Sequence, residues 1–201
     1  MAQRHSHIVD NADEIALLAS PARIEIMDTL EALGSAVSVA ELAQALGRPA
    51  DGLYYHLRQL ADGGLIHEEL ADDGRRYCTR SLPGRRLTLR YKPGKTDNAR
   101  AVRSVAASMA RVAERDFARA LADSDTVVEG PLRELWAARG KGWVGTEELA
   151  EINRLLDRLM QLLLQPRAPH KQKLIALSWV LAPLDAKPAR RVPAAPRRKR
   201  R

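Results

Sequence analysis

The sequence predicts a mainly α-helical chain with a small β component, an α+β fold, and three observations predict it. Apolar residues make up 45% of the 201 residues and aromatic residues only 4%, which favours aliphatic helix packing over a β-sandwich. Leu, Ile, Val and Met recur at helical spacing between Ser, Pro and Gly stops. One stretch, Leu65 to Arg80, instead alternates and turns at Asp72-Asp73-Gly74, the signature of a hairpin in which Gly supplies φ > 0.

The first ten residues carry no periodic pattern and are expected to fray. Asn11 to Ala19 reads as a short helix with Ile15, Leu17 and Leu18 on one side. Ser20-Pro21 opens a clearer one, with Ser as N-cap and Pro where its missing N–H costs nothing. Ile24, Ile26, Met27, Leu30 and Leu33 form its apolar stripe, and Gly34 stops it. Ser38-x-x-Glu41 is a capping box for the next helix, whose Leu42 and Leu46 point inward and which ends at Gly47. Only Arg48-Pro49 separates it from a third helix, Ala50 to Ala61, so the pair reads as a helix-turn-helix.

In that third helix Leu53, Leu57 and Leu60 fall on one side, and Asp51, Tyr55, Arg58 and Gln59 on the other, with Tyr54 flanking. A solvated helix face more commonly carries Lys and Glu. Two phenols, an Arg and a Gln instead suit a nucleic-acid groove, where Arg pairs with guanine and Gln with adenine. Gln59 reads equally well as a solvated or phosphate-contacting residue, and Tyr54 as packing on the hairpin. Asp51 is repelled by phosphate and is expected to cap the helix. His56 leans to the buried side and is expected to be a core or interface residue. Gly63-Gly64 ends the helix. The hairpin's second strand, RRYCTR, places Arg75 and Arg76 at its tip. Cys78, the single cysteine, is expected to be an ordinary strand residue.

Beyond a boundary expected near Lys95, a long helix runs from about Ala99 to Ala122. Val102, Val105, Met109, Val112 and Phe117 are its candidate dimerisation residues. Leu132 to Val144, with Trp136 and Trp143, suggests a strand and a turn. Thr146 is expected to cap a further helix whose buried side holds Leu149, Ile152, Leu155, Leu156, Leu159, Met160, Leu162 and Leu163, with Pro166 ending it. KLIALSWVLA, Lys173 to Ala182, reads as a buried strand. Trp136, Trp143 and Trp179 are expected to fill a core rather than line a pocket.

Charge is informative once located. The formal total is +8, but residues 186 to 201 contain eight basic residues and no acid, so residues 1 to 185 balance at 25 of each sign. The tail, expected to be disordered, is expected to raise non-specific DNA or RNA affinity by counterion release and encounter rates by electrostatic steering; the folded part carries no net charge. No apolar run approaches the roughly 18 residues needed to cross a bilayer, and no hydrophobic signal core opens the chain, so a cytoplasmic location is expected. One cysteine excludes a disulfide framework within the chain, and the histidines His5, His7, His67 and His170 show no ligand spacing. A nucleophile–base pair, a phosphate-binding Gly loop and a metal cluster are all missing from the pattern. No enzyme activity, cofactor or metal is expected.

Several short blocks stand in a familiar order. They are Leu18-Ala19-Ser20-Pro21-Ala22-Arg23-Ile24-Glu25-Ile26-Met27, then Leu42-Ala43, Leu46-Gly47, Tyr55-His56-Leu57-Arg58-Gln59-Leu60, Gly64-Leu65-Ile66 and the hairpin residues Gly74-Arg75-Arg76 and Tyr77. Over about residues 12 to 92 the chain resembles the ArsR-type winged-helix repressors, larger members with an appended C-terminal dimerisation domain. The resemblance implies a transcription regulator that binds operator DNA as a homodimer. Its third helix (50–61) would lie in the major groove and its hairpin wing (65–80) against the backbone or minor groove. Implied DNA-binding residues are Arg48, Ala50, Asp51, Gly52, Tyr54, Tyr55, His56, Arg58 and Gln59 on the helix-turn-helix, and Arg75 and Arg76 on the wing. The family's thiolate pair is missing, and Ala99 to Ala122 contains no His, so metal sensing is not expected. Tyr54-Tyr55 replaces the family's usual Ser-His pair, so the operator sequence does not transfer.

The expected organisation is a winged helix-turn-helix domain at 11–95, a dimerisation and sensor domain at 96–185, and the tail at 186–201. Two other readings stay open. A small-molecule effector would bind in the second domain if that domain encloses a polar pocket. A protein- or RNA-interaction module would use the third-helix face on a partner other than double-stranded DNA.

Overall fold

The computed structural model describes residues 7–80, 87–165 and 173–185. It is mainly helical with a small sheet, as the sequence predicts. In chain order the elements are β1 (His7–Val9), α1 (Ala12–Leu17), α2 (Pro21–Leu33), β2 (Val37–Ser38), α3 (Val39–Leu46), a 3-10 turn (Ala50–Gly52), α4 (Tyr54–Asp62), β3 (Ile66–Ala71), β4 (Gly74–Thr79), β5 (Leu87–Leu89), α5 (Thr96–Ala122) and α6 (Thr146–Leu163).

The helix ends follow their local chemistry. The Asn11 side chain accepts from the Asp13 N–H at 2.9 Å and starts α1. Pro21 opens α2, although the Ser20 side chain makes no capping bond. The Ser38–Glu41 box forms in full, with Ser38 Oγ accepting from Glu41 N–H at 3.2 Å and Glu41 accepting from Ser38 N–H at 2.7 Å. Gly34 and Gly47 close α2 and α3 at φ 69° and 62°, where a Cβ is disfavoured.

Two short sheets complete the unit. In the first, β2, β4 and β3 lie in that order and run antiparallel, with Val37 opposite Tyr77 and Glu68 opposite Tyr77 on the other side. The β3–β4 turn is the two-residue loop Asp72-Asp73. In the second, β1 and β5 pair in parallel, with Val9 opposite Leu89. Neither β1 nor β2 is expected from the sequence: three and two residues are too short to show a period, and long-range pairing alone makes them strands.

One core joins these elements. Ile15, Ile26, Leu30, Leu42, Leu57, Leu60 and Leu65 are all but fully buried, and Val9, Ile66 and Tyr77 join them from the strands. α5 closes this core instead of opening a separate domain at Lys95. It lies on α1 and α2, and its Ala101 and Val105 belong to the core cluster. Ser108, fully buried, donates to the Ala19 carbonyl at 2.7 Å and pins α5 to the α1–α2 junction.

After Ala122 the picture changes. Leu132 to Val144 and Lys173 to Ala182 form no strand ladder, and Trp136, Trp143, Leu174, Val180 and Leu181 are exposed. The buried strand expected at 173–182 is therefore open in the single chain. α6 forms where expected, but Gly145 is its N-cap instead of Thr146, its N–H held by Glu148 at 2.9 Å. No α6 residue is buried, so its predicted buried side is also open. Pro166, His170 and the basic tail lie outside the described residues.

Candidate nucleic-acid interface

The third-helix stretch is positioned from below. Leu53, Leu57 and Leu60 seat it on α2 and β3, at 2%, 0% and 0% exposure. Those three residues at i, i+4 and i+7 orient the opposite face outward. The stretch is not one uniform helix. Ala50, Asp51 and Gly52 form the 3-10 turn, and α4 proper starts at Tyr54. Asp51 is exposed and caps neither element, which corrects the expected role; the Leu53 N–H instead bonds the Ala50 carbonyl.

On the outer face Tyr54 and Tyr55 are 52% and 64% exposed, large values for phenols on a well-packed unit. Arg58 is exposed beside them, and Gln59 is half-buried. His56 turns away from this face. It is half-buried, packs edge-on to the Tyr55 ring at 5.4 Å, and has a buried Nδ1 with no hydrogen-bond partner. Burial, with the nearby Arg23 and Arg48 guanidiniums, pushes its pKa down and disfavours the charged imidazolium. His56 is thus a packing residue of the helix-turn-helix, and its place among direct DNA contacts is withdrawn.

The wing stands beside α4. Tyr54, Arg58, Ala61 and Asp62 on the helix and Glu68, Arg75 and Tyr77 on the wing line a cleft of about 360 Å³. Arg75 is largely exposed and pairs with Glu68 at 2.8 Å, an ion pair weak enough to exchange for a phosphate. Arg76 behaves differently. It folds back to Asp73 at 2.6 Å, Glu41 at 3.0 Å and the Ala36 carbonyl at 3.2 Å. Those bonds tie the wing to the first turn of α3 and take Arg76 out of the exposed set. Glu41 in turn is held below the usual carboxylate range by the Ser38 backbone and hydroxyl bonds, with Arg76 adding to them. Cys78 donates weakly to Glu69 at 3.8 Å, and burial raises its thiol pKa, as suits a structural strand residue.

Arg48, expected at the DNA, is engaged inside the molecule. It pairs with Glu25 of α2, and Arg115 of α5 pairs with the same carboxylate, its Nη1 at 3.0 Å. One half-hidden Glu25 therefore links the helix-turn-helix turn to the long helix. Sequence reasoning missed this cluster because Glu25 and Arg115 stand 90 positions apart and no short-range pattern joins them. Among the candidate dimerisation residues, Val105 and Val112 are 4% and 7% exposed and already covered within the chain. Val102 and Met109 are half-buried against the same core, and Phe117 is half-buried.

The geometry is thus a supported helix with an aromatic–Arg outer face, a two-stranded wing, and one cleft between them. Residues 18–69 match a family model described as a helix-turn-helix domain. The match runs from the end of α1 into β3 and contains the capping box, the Gly47 turn and all of α4. A helix-turn-helix domain of this kind suggests a DNA-binding regulator. No curated protein matches the chain. Among the described residues, no helix is long and apolar enough to cross a membrane, and no group of three or more His, Cys, Asp and Glu residues forms a metal site.

Proposed function

We propose that the protein is a transcriptional regulator that binds operator DNA as a homodimer, in the manner its ArsR-type resemblance implies. One observation carries the reading: Tyr54, Arg58 and Arg75 converge on one cleft while Leu53, Leu57 and Leu60 hold α4 from behind. α4 enters the major groove and the wing meets the adjacent backbone. Arg58 reads a base edge, with Tyr54 and Tyr55 making phosphate or thymine-methyl contacts. Arg75 leaves Glu68 for a phosphate, so binding weakens with salt. Asp62 and Glu68 in the same cleft suppress indiscriminate phosphate binding and favour sites that offer good base contacts.

The test is selection of bound fragments from a genomic library, followed by binding of the selected site to wild type and Arg58→Ala. Loss of one bidentate base contact costs about 1–3 kcal/mol, roughly 5- to 150-fold. The expected result is that loss on the selected site, with non-specific binding little changed. An equal loss on both overturns the assignment of Arg58 to base reading. Failure to select any site overturns the DNA reading altogether.

A further inference from the structure

α6 is built like an interface with one side missing. Its large apolar residues span about 160° of the helix circumference at 100° per residue, the apolar face of a helix that is covered on one side, yet none of them is buried. Ile152, Leu156 and Met160 are half-covered by the chain. Leu155, Leu159 and Leu162, along the adjoining edge, are 50%, 41% and 48% exposed. The charged residues along that edge are ordered. Glu147, Glu148 and Glu151 stand in the first two turns, and Arg154 and Arg158 in the later ones.

We propose that this edge of α6 packs antiparallel against α6 of a second copy of the chain, about a twofold axis near Leu155. This contact rests on the dimeric reading above and gives that dimer its surface and orientation. A second copy is the occupant that the charges select. Glu151, which pairs with Arg154 of its own helix (Nε to Oε2 2.8 Å) as an exposed pair able to take a second cation, lies four residues before Leu155 and Arg158 three after, so an antiparallel partner brings each Glu151 opposite the other chain's Arg158. A parallel partner would set Glu151 against Glu151 and Arg158 against Arg158. Antiparallel pairing also opposes the two helix dipoles favourably.

The area fits as well. Half-exposed side chains of this size offer roughly 60–120 Å² each, so about ten match the ~800 Å² per partner of a standard interface. The exposed apolar residues between 127 and 184 exceed that number, so the extended segments around α6 join the contact. α5 does not compete for the role through Val105 and Val112, whose side chains the chain's own core already covers.

The experiment is sedimentation equilibrium of the full chain without DNA, for wild type, Glu151→Arg, Arg158→Glu and the double variant, each checked for helicity by circular dichroism. Wild type is expected to sediment as a dimer. Each single variant turns two attractions into repulsions and raises the dimer dissociation constant about tenfold, while the double variant restores it. A monomeric wild type overturns the proposal. So do single variants that dimerise as wild type does, the behaviour of a parallel pair, or a double variant no better than the singles. Because no DNA is present, a dimer that follows this pattern but selects no DNA leaves the contact standing and fails the regulator reading. A monomer that selects DNA fails the contact and the homodimer, and leaves only the DNA-binding part of the regulator reading standing.

Discussion

Residues 7–122 and residues 123–185 are built from similar residues to opposite ends. In the first region Leu42, Leu57 and Leu60 are fully buried, and polar links such as Ser108 to Ala19 lock the pieces together. In the second, α6 and its flanking extended segments have no buried residue among the described residues, although Leu, Ile, Val and Trp are plentiful there. Burial of each such side chain is worth about 1.5–3 kcal/mol, so the first region has its stabilisation in hand and the second has most of it still to gain. One region folds on itself to present a surface. The other presents an apolar surface that its own chain leaves uncovered.

The sharpest way to break this contrast is to remove the same side chain from each region. Leu57→Ala leaves a cavity in a closed core and is expected to cost about 2–5 kcal/mol in denaturant unfolding. Leu159→Ala is expected to leave the monomer's unfolding within ~0.5 kcal/mol and act on dimer dissociation instead. Equal losses in the monomer would mean that α6 is packed by its own chain.

A smaller effect is expected at the link between the turn and the long helix. Glu25→Gln leaves Arg48 and Arg115 facing each other without their shared carboxylate. Both guanidiniums are about a third exposed, so solvent screening reduces the cost to about 1–2 kcal/mol. Adding Arg115→Ala to Glu25→Gln is expected to recover part of that loss in a double-mutant cycle. Strict additivity would show that the three residues do not act as a unit.

The smallest effect is a pH dependence, which in the closed region comes from His56 and Glu41. The His56 pKa is depressed in the fold, so the unfolded chain takes up the proton more readily. Stability is then full above the ordinary value of 6.5 and falls as pH drops below it towards the folded value. Glu41 is also depressed, so its contribution is present above 4.5 and is lost as pH falls through its lower folded value. Urea titrations from pH 8 to 5 cover the His56 limb, and His56→Gln is expected to flatten it. An unchanged limb in that variant would remove His56 as its source.

Short-range chemistry was legible in the residues themselves. Ser38 and Glu41, Gly34 and Gly47, the Leu53–Leu57–Leu60 face and the Asp72-Asp73 turn each act within a few positions, and each stands where its local pattern puts it. The outward face of Tyr54, Tyr55 and Arg58 follows from the same periodicity. Tertiary structure decided what depends on partners far along the chain. It made strands of β1 and β2, folded Arg76 back to Glu41, and joined Arg48 and Arg115 at Glu25. It also turned Val105 and Val112 inward and left α6 open. An apolar stripe states that a helix must be covered but not by which surface. α5 and α6 carry comparable stripes, and only the packed chain shows one of them covered within the molecule and the other left open.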